Sequence, residues 1–296
     1  MSLVNRNCLN LIYWADFPNF GDFLSPYIIK TLTGKEIVHK KASISWLNLM
    51  KFLIGHPLKL DELSHYVLPW EENFIGVGSV LSYGNSKSKI WGCGFMNSKE
   101  QFYGGKIYAL RGMLSANKIG LCKNDIVYGD PALLLPLLYV PKSLEKFTVG
   151  IIPHWKEFLF FHQKYQNRYK IIDLRTKDVE QVIDEICSCQ MILSTSLHGI
   201  IVAHAYGIPA IWIKNGDINT DGFKFWDYFS SVGIRCYNGF ENYDEIIASP
   251  DNIKDFFILH NSLTLPQVSL DELQKALLLS TPFDILEKWK QKGYLL

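Results

Sequence analysis

Short apolar runs that end in a glycine-bearing turn and restart as a helical pattern recur along this 296-residue chain. Leu9 to Trp14 reads as a strand, Asn19-Phe20-Gly21-Asp22 as a turn, and Phe23 to Leu32 as a helix. That helix stacks Leu24, Ile28 and Leu32 on one face before Gly34 stops it. The unit returns as the strand Phe74 to Val77 followed by Gly78-Ser79, the strands Lys89 to Gly92 and Lys106 to Leu110, the short helix Met113 to Lys118, and the strand Ile126 to Tyr128 closed by Gly129-Asp130-Pro131. Strands alternating with helices must be joined by crossovers, so the expected class is α/β with mainly parallel sheets.

After Pro136 to Pro141 a second series begins: strand Phe147 to Ile152, helix Lys156 to Tyr165, strand Lys170 to Leu174, helix Val179 to Cys189, a strand ending at Thr195 and a strand Ala210 to Ile213. A chain of this length accommodates two α/β domains, so the expectation is one domain over 1–144 and another over 145–296, with the boundary near Leu144. Residues 35–70, with Trp46, Leu47, Leu49, Phe52 and Leu53, read as a helical insertion in the first. Leu270 to Leu279 and Pro282 to Trp289 read as amphipathic helices that close the second domain over residues 270–290 and pack back across the lobes.

Thirty basic and 29 acidic side chains nearly cancel, which leaves no global field of the kind that draws a protein onto nucleic acid. The six cysteines lack paired metal-ligand spacing and read as reduced thiols, so no metal site is expected. The first apolar run, broken by Asp16 and Pro18, is too short for a secretory core, and no stretch is long enough to span a bilayer. The expectation is a cytoplasmic protein with no transmembrane segment, which leaves room for peripheral membrane association.

Ligands of open parallel sheets bind beyond the carboxyl ends of strands, so the residues just after strands are the site candidates. Ser194 to Pro209 places His198 and Gly199 where a strand hands over to a helix. Free backbone N–H groups and the positive dipole end favour a phosphate or carboxylate there, with the Ser194, Thr195 and Ser196 hydroxyls beside it. An imidazolium at that point adds charge and a transferable proton, although a histidine satisfying nearby backbone is the plainer reading. His204 lies inside the helix and reads as structural. His154 follows Pro153 out of the strand Val149 to Ile152 and is open to a binding or a structural role; Trp155 beside it either stacks on a sugar face or covers the core. Asp22 is either a helix N-cap or a site carboxylate. Gly78-Ser79 offers a close backbone approach to a ligand without a full dinucleotide fingerprint. Arg111 ends a strand and suits either a bidentate anion clamp or a salt bridge, and Lys224 could bring a cation to the His198 site.

Taken in order, Asn19-Phe20-Gly21-Asp22 with Leu24-Ser25-Pro26, Gly76-Val77-Gly78-Ser79, Arg111 with Ser115, Tyr128-Gly129-Asp130-Pro131, Ile152-Pro153-His154, Ser194 to Pro209, and Lys224-Phe225 with Asp227-Tyr228 resemble the polysaccharide pyruvyl transferase family. The resemblance implies two Rossmann-like domains facing a cleft, in a glycosyltransferase-B-like arrangement, with the acceptor side on 1–144 and the donor side on 145–296. It implies transfer of a pyruvyl group from phosphoenolpyruvate to hydroxyls of a sugar in a cell-surface polysaccharide or its lipid-linked precursor, forming a pyruvate ketal without a cofactor. On that reading His198 and Arg111 hold phosphoenolpyruvate, His198 supplies the proton, and Asp22 or His154 deprotonates the sugar hydroxyl. Ser196, Gly199, Lys224, Gly78 and Ser79 complete the substrate site. Many relatives carry an arginine immediately before the Leu-His pair where this chain has Ser196, which leaves Lys224 or His154 to replace that cation. A nucleotide-sugar glycosyltransferase on the same fold, or a glycan-binding relative without turnover, are the other readings.

Overall fold

The computed structural model describes residues 7–55, 60–121, 126–142, 146–216 and 220–295. Strands β1 (Cys8–Ile12), β2 (Glu36–Lys40), β3 (Asn73–Ile75), β4 (Ser88–Trp91), β5 (Lys106–Leu110) and β6 (Val127–Tyr128) form a six-stranded sheet in the order β2-β1-β3-β4-β5-β6. Strands β7 (Phe147–Ile152), β8 (Lys170–Ile171), β9 (Cys189–Ser194) and β10 (Ala210–Trp212) form a four-stranded sheet in the order β10-β9-β7-β8. Every pairing in both sheets is parallel, as βα alternation requires.

The order of strands positions the site. In the first sheet the chain leaves β1 for β2 on one side and continues from β3 to β6 on the other, so its direction of travel reverses between β1 and β3. In the second sheet the reversal falls between β7 and β9. Loops leaving the carboxyl ends of strands on the two sides of such a reversal diverge and open a crevice.

Several boundaries differ from the sequence reading. The segment 35–70 is not wholly helical: Glu36–Lys40 is the edge strand β2, whose alternating exposure gives a weak apolar signal, and the helix Trp46–Gly55 follows it. The first helix is Phe20–Thr33, so Asp22 lies in its first turn and Asn19 takes the N-cap position. The helix after β9 is Leu197–Ala205, which puts His198 inside the first turn. The last helix is Glu287–Leu295, not Pro282 to Trp289. Leu144, the expected boundary, and Cys122 lie outside the described residues.

The largest apolar core joins the two sheets, with Leu11, Leu24 and Trp91 in one cluster with Ile152, Ile192 and Ile200. The helix Leu270–Leu279 and the helix after it close on the six-stranded half. Trp91 Nε1 donates to the Leu277 carbonyl at 3.1 Å, Gln274 Nε2 to Leu133 O at 2.8 Å, and Trp289 Nε1 to Thr31 O at 3.0 Å.

A buried ion pair also links the halves. Arg111, at the end of β5, has no exposed side-chain surface, nor does Asp227 in the helix Phe223–Ser231. Asp227 Oδ2 accepts from Arg111 Nε at 3.1 Å and from Ser115 Oγ at 2.7 Å, and Oδ1 accepts from the Ser115 N–H at 2.8 Å. Gly112 makes the approach possible, since a Cβ there would stand 1.7 Å from the Asp227 carbonyl oxygen. Removing one member of a buried pair leaves an uncompensated charge, so Asp227→Ala should destabilise the fold by about 3–5 kcal/mol. Denaturant unfolding measures this, and a change near zero would refute the structural role.

Candidate functional site

A cavity of about 220 Å³ opens where the two crevices face each other. Asn19 and Asp22 reach it from the loop and helix after β1, and Ser79, Val80 and Tyr83 from the segment after β3. His154, Trp155 and Lys156 enter after β7, and Ser196, Leu197 and His198 after β9. Lys224 comes from the first turn of the helix Phe223–Ser231. A broader groove of about 430 Å³ lies elsewhere, along the helix Val179–Cys187, but it is lined by charges of both signs, including Lys170, which pairs with Glu185 at 2.8 Å.

Six sequence candidates therefore share one cavity: His198, Asp22, His154, Ser196, Lys224 and Ser79. Three do not line it. Arg111 spends its guanidinium inside the protein: besides Asp227, Nη1 donates to Ser79 Oγ at 2.7 Å and Nη2 to Phe95 O at 2.6 Å. The expected anion clamp is a buried salt bridge one residue behind the wall. Gly199 faces the sheet, where a Cβ would stand 2.6 Å from Ser194 Oγ and 2.9 Å from Ile152 Cγ2, so it permits close helix–strand packing. Gly78 has φ of 116°, a backbone conformation that favours glycine, and its carbonyl accepts from the Gly94 N–H at 3.1 Å.

Positive potential in the cavity comes from helix N-termini and from the lysines that line it, Lys224 and Lys156. Helices Phe20–Thr33 and Leu197–Ala205 both point their N-termini at it, and neither Asn19 nor Ser196 makes a side-chain cap bond. By contrast Asp178, Ser249 and Ser269 cap their own helices elsewhere. In the first helix the Phe20 and Asp22 N–H groups already donate to Leu174 O at 2.8 Å and Asn19 O at 3.0 Å, so it contributes mainly its dipole, whereas the first turn of Leu197–Ala205 also leaves N–H groups for a ligand. The Lys224 ammonium adds a full charge. Burial, followed by the Arg111 charge, lowers its pKa to about 8, while Asp22 and Glu157 pull it back up.

The same burial acts oppositely on acids and bases. Asp22 is raised to about 7, mainly by burial, against the Asn19 Nδ2 bond at 2.5 Å and the Lys224 charge. His198 is lowered to about 3 by burial and then by Lys224 and Arg111. His154 is lowered to about 3 by burial, Lys224 and Lys156. His198 is thus neutral in this setting, and the imidazolium expected from the sequence requires a bound anion.

His198 is seated closely. Its side chain is 13% exposed, and Nε2 is buried without a hydrogen-bond partner among the described residues, 4.0 Å from Asp130 Oδ2, which is also buried and unpartnered. Burial raises Asp130 to about 7. Its other oxygen, Oδ1, accepts from the Ala132 N–H at 2.9 Å and so caps the turn that follows. The imidazole Nδ1 lies over Gly21, where a Cβ would come within 2.3 Å, so glycine at that position makes room for the ring. The rim is fixed by Thr195, whose Oγ1 donates to Glu157 Oε2 at 2.5 Å and accepts from the His154 N–H at 2.6 Å.

Sequence reasoning singled out Trp155 but missed the two aromatic rings that stack on it. Trp14 stacks on Trp155 at 5.9 Å between ring centroids, and Phe17 stacks on Trp155 at 5.8 Å. Trp14 and Phe17 sit in the loop after β1, and their position beside Asn19 and Asp22 was the available signal. Asp130 was visible only as a turn residue.

Two parallel sheets with paired switch points and a cavity between them place this chain among the α/β proteins. Residues 79–217, which include Ser79, Arg111, His154, Ser196 and His198, match the family model described as polysaccharide pyruvyl transferase, so the resemblance read from the motifs holds over that span. Uncharacterized protein L143 of Acanthamoeba polyphaga mimivirus is 27% identical over 237 residues, covering 74% of this chain and 79% of its own length. No solved structure matches the chain. No described helix is long and apolar enough to cross a membrane.

Two titrations follow. Because the folded His198 pKa lies below the ordinary 6.5, its neutral form contributes stability present above that value and lost as pH falls towards 3. By NMR its imidazole should stay neutral between pH 5 and 8 in the free protein and shift towards the cation when inorganic phosphate is added; ordinary titration near 6.5 would contradict the burial argument. Asp22 has the opposite sign: its folded pKa lies above 3.8, so its contribution is present at low pH and lost as pH rises through about 7. Asp22→Asn should therefore raise the melting temperature by a few degrees at pH 8 and leave it nearly unchanged at pH 4, as read by calorimetry.

Proposed function

We propose that the cavity binds phosphoenolpyruvate and transfers its pyruvyl group to two hydroxyls of a sugar, in a cell-surface polysaccharide or its lipid-linked precursor, forming a pyruvate ketal and releasing phosphate. The observation that carries this reading is the convergence of Lys224 with two uncapped helix N-termini on a cavity that also holds a carboxyl group poised near neutrality. A compact donor with a phosphate and a carboxylate needs that field, and its enol carbon needs an acid. The family match over 79–217 supports a transferase acting on polysaccharide.

Asp22, with a pKa of about 7, is suited to move a proton both ways. In its acid form it protonates the methylene carbon of the enol, and the resulting carboxylate takes the proton of the attacking sugar hydroxyl as the first C–O bond forms. The second hydroxyl then closes the ketal while the bond from carbon to phosphate oxygen breaks, and its proton leaves with the phosphate. Lys224 and the helix N-termini stabilise the departing charge. His198 gains a proton as the anion arrives, and Asp130, 4.0 Å behind it, stabilises the imidazolium. Arg111 acts as a positioning residue through Ser79 and Asp227. The scheme uses no cofactor.

Trp14, Phe17 and Trp155 offer a flat apolar face to a sugar ring at the mouth. We read the six-stranded and four-stranded halves as the two Rossmann-like domains of a glycosyltransferase-B-like arrangement, with the acceptor side on the first and the donor side on the second.

The test is phosphate release from phosphoenolpyruvate that depends on an added sugar acceptor. His198→Ala and Lys224→Ala should each lower kcat by about 100-fold or more, on the scale of removing one group that stabilises developing charge. Activity should decline as pH rises through about 7, where Asp22 loses the proton it donates, and further through about 8, where Lys224 loses its own. Release unaffected by His198→Ala would remove that residue from the mechanism. Thermal stabilisation by a nucleotide sugar, with none by phosphoenolpyruvate, would replace the donor.

A further inference from the structure

The helix Trp46–Gly55 buries a single residue, Leu49. Its Trp46, Leu47, Met50, Leu53 and Ile54 side chains are between 39 and 78% exposed. At 100° per residue these five fall within an arc of about 120°, which runs the helix's length of about 15 Å. Trp70, also exposed, packs against Trp46 with ring centroids 5.2 Å apart and widens the patch. Scattered apolar residues on a surface need no explanation, but a continuous face of this kind does.

Charge identifies what covers it. From Ile37 to Leu60 the sequence has four lysines, Lys40, Lys41, Lys51 and Lys59, and neither aspartate nor glutamate. Glu36 and Asp61-Glu62 bound the stretch; Glu36 pairs with Lys30 at 2.9 Å, and after Trp70 Glu71 accepts from the Leu68 N–H at 3.0 Å and Glu72 pairs with Lys89 at 2.8 Å. Lys40 turns inward to the Ser64 and Tyr66 carbonyls, whereas Lys41 and Lys51 are exposed, Lys51 on the flank of the apolar arc. An apolar arc edged by tryptophan and lysine suits the boundary of an anionic bilayer, where the rings lie at headgroup level and the ammonium groups meet lipid phosphates.

The helix is also mounted on the wall of the cavity. Ser43 donates to the Tyr83 carbonyl through its N–H at 3.1 Å and its hydroxyl at 3.0 Å, and Tyr83 lines the cavity. It follows the carboxyl end of β2, the end of the six-stranded sheet from which the cavity loops leave β1 and β3.

We propose that the helix Trp46–Gly55, with Trp70, docks this protein on the surface of a membrane that carries anionic lipid. This deepens the acceptor assignment and rests on it in one respect: docking brings the cavity mouth to the headgroup layer, where the glycan of a lipid-linked precursor stands. Lipid binding itself does not depend on that chemistry.

The experiment is co-sedimentation of the full chain with phosphatidylcholine vesicles and with phosphatidylcholine–phosphatidylglycerol vesicles. The chain should sediment with the second and markedly less with the first. The double variant Leu47→Glu/Ile54→Glu should lower partitioning by about tenfold or more, since it puts two charges in the apolar face. Lys41→Gln/Lys51→Gln should weaken binding to the anionic vesicles alone. Both variants change exposed residues, so far-UV circular dichroism and thermal unfolding should match the parent, and so should phosphate release with a soluble sugar acceptor. Absence of parent binding to either vesicle, or equal binding by the Leu47/Ile54 variant, would overturn the proposal. So would a parent dimer, seen by light scattering without lipid, that the same variant dissociates. Normal vesicle binding with no phosphate release would sustain the membrane proposal and reject the pyruvyl transfer reading.

Discussion

Arg111 brings a full positive charge into a place without water, and Asp227, arriving from the helix Phe223–Ser231 in the other half, is the group that lets it remain there. The pair does more than neutralise itself. The same carboxylate accepts from Ser115, and the same guanidinium holds Ser79 at the edge of the cavity. Because Lys224 lies three residues before Asp227 in that helix, fixing Asp227 also fixes where the cavity's cation enters. An arginine that looks like a ligand clamp at the end of a strand is instead the anchor that sets the wall.

Exclusion of water explains how one pocket can hold an acid near neutrality beside two neutral histidines. Burial penalises every charged form, so it raises Asp22 and Asp130 and lowers His198 and His154. Lys224 resists because Asp22 and Glu157 offset part of the penalty. An incoming anion reverses the balance for the bases, since its charge favours the imidazolium. Glycine at position 21 serves the same end sterically, for it lets the His198 ring lie against the first turn of the helix that carries Asp22.

Much of this was legible from sequence because the governing signals are local. Apolar runs with glycine turns marked β5 and β7 to the residue, and a histidine between strand and helix marked the right end of the sheet. What sequence could not supply was the partner across space. Nothing near Arg111 announces Asp227, 116 positions away, so a clamp and a salt bridge read alike until the chain is folded. Trp14 read as the end of a strand and Phe17 drew no reading, because their stacking on Trp155 depends on how the two halves meet. The edge strand β2 was hidden by its own exposure, since a strand with few buried side chains has a weak period-two pattern. Gly199 and Gly78 were read for their nearness to a ligand, but the space each one leaves is taken up by packing and by a turn.

The family resemblance implies an arginine where this chain has Ser196, and the electrostatics of this pocket give serine at that position a physical meaning. Arg111 already depresses the proton affinity of both Lys224 and His198 from behind the wall. A further guanidinium at the tip of the helix Leu197–Ala205 would lie beside His198 and in the same cavity as Lys224, and like charges in low dielectric would lower both again. With serine there, Lys224 keeps a pKa of about 8 and remains charged at neutral pH. The cost is one fewer permanent charge in the cavity; the Ser196 N–H is taken by Ser194 Oγ at 2.9 Å, so the first-turn N–H groups of the helix Leu197–Ala205 are the groups that can offset it. With no arginine at that tip, the positive field of the cavity comes from Lys224 and Lys156 together with the backbone of the helix Leu197–Ala205.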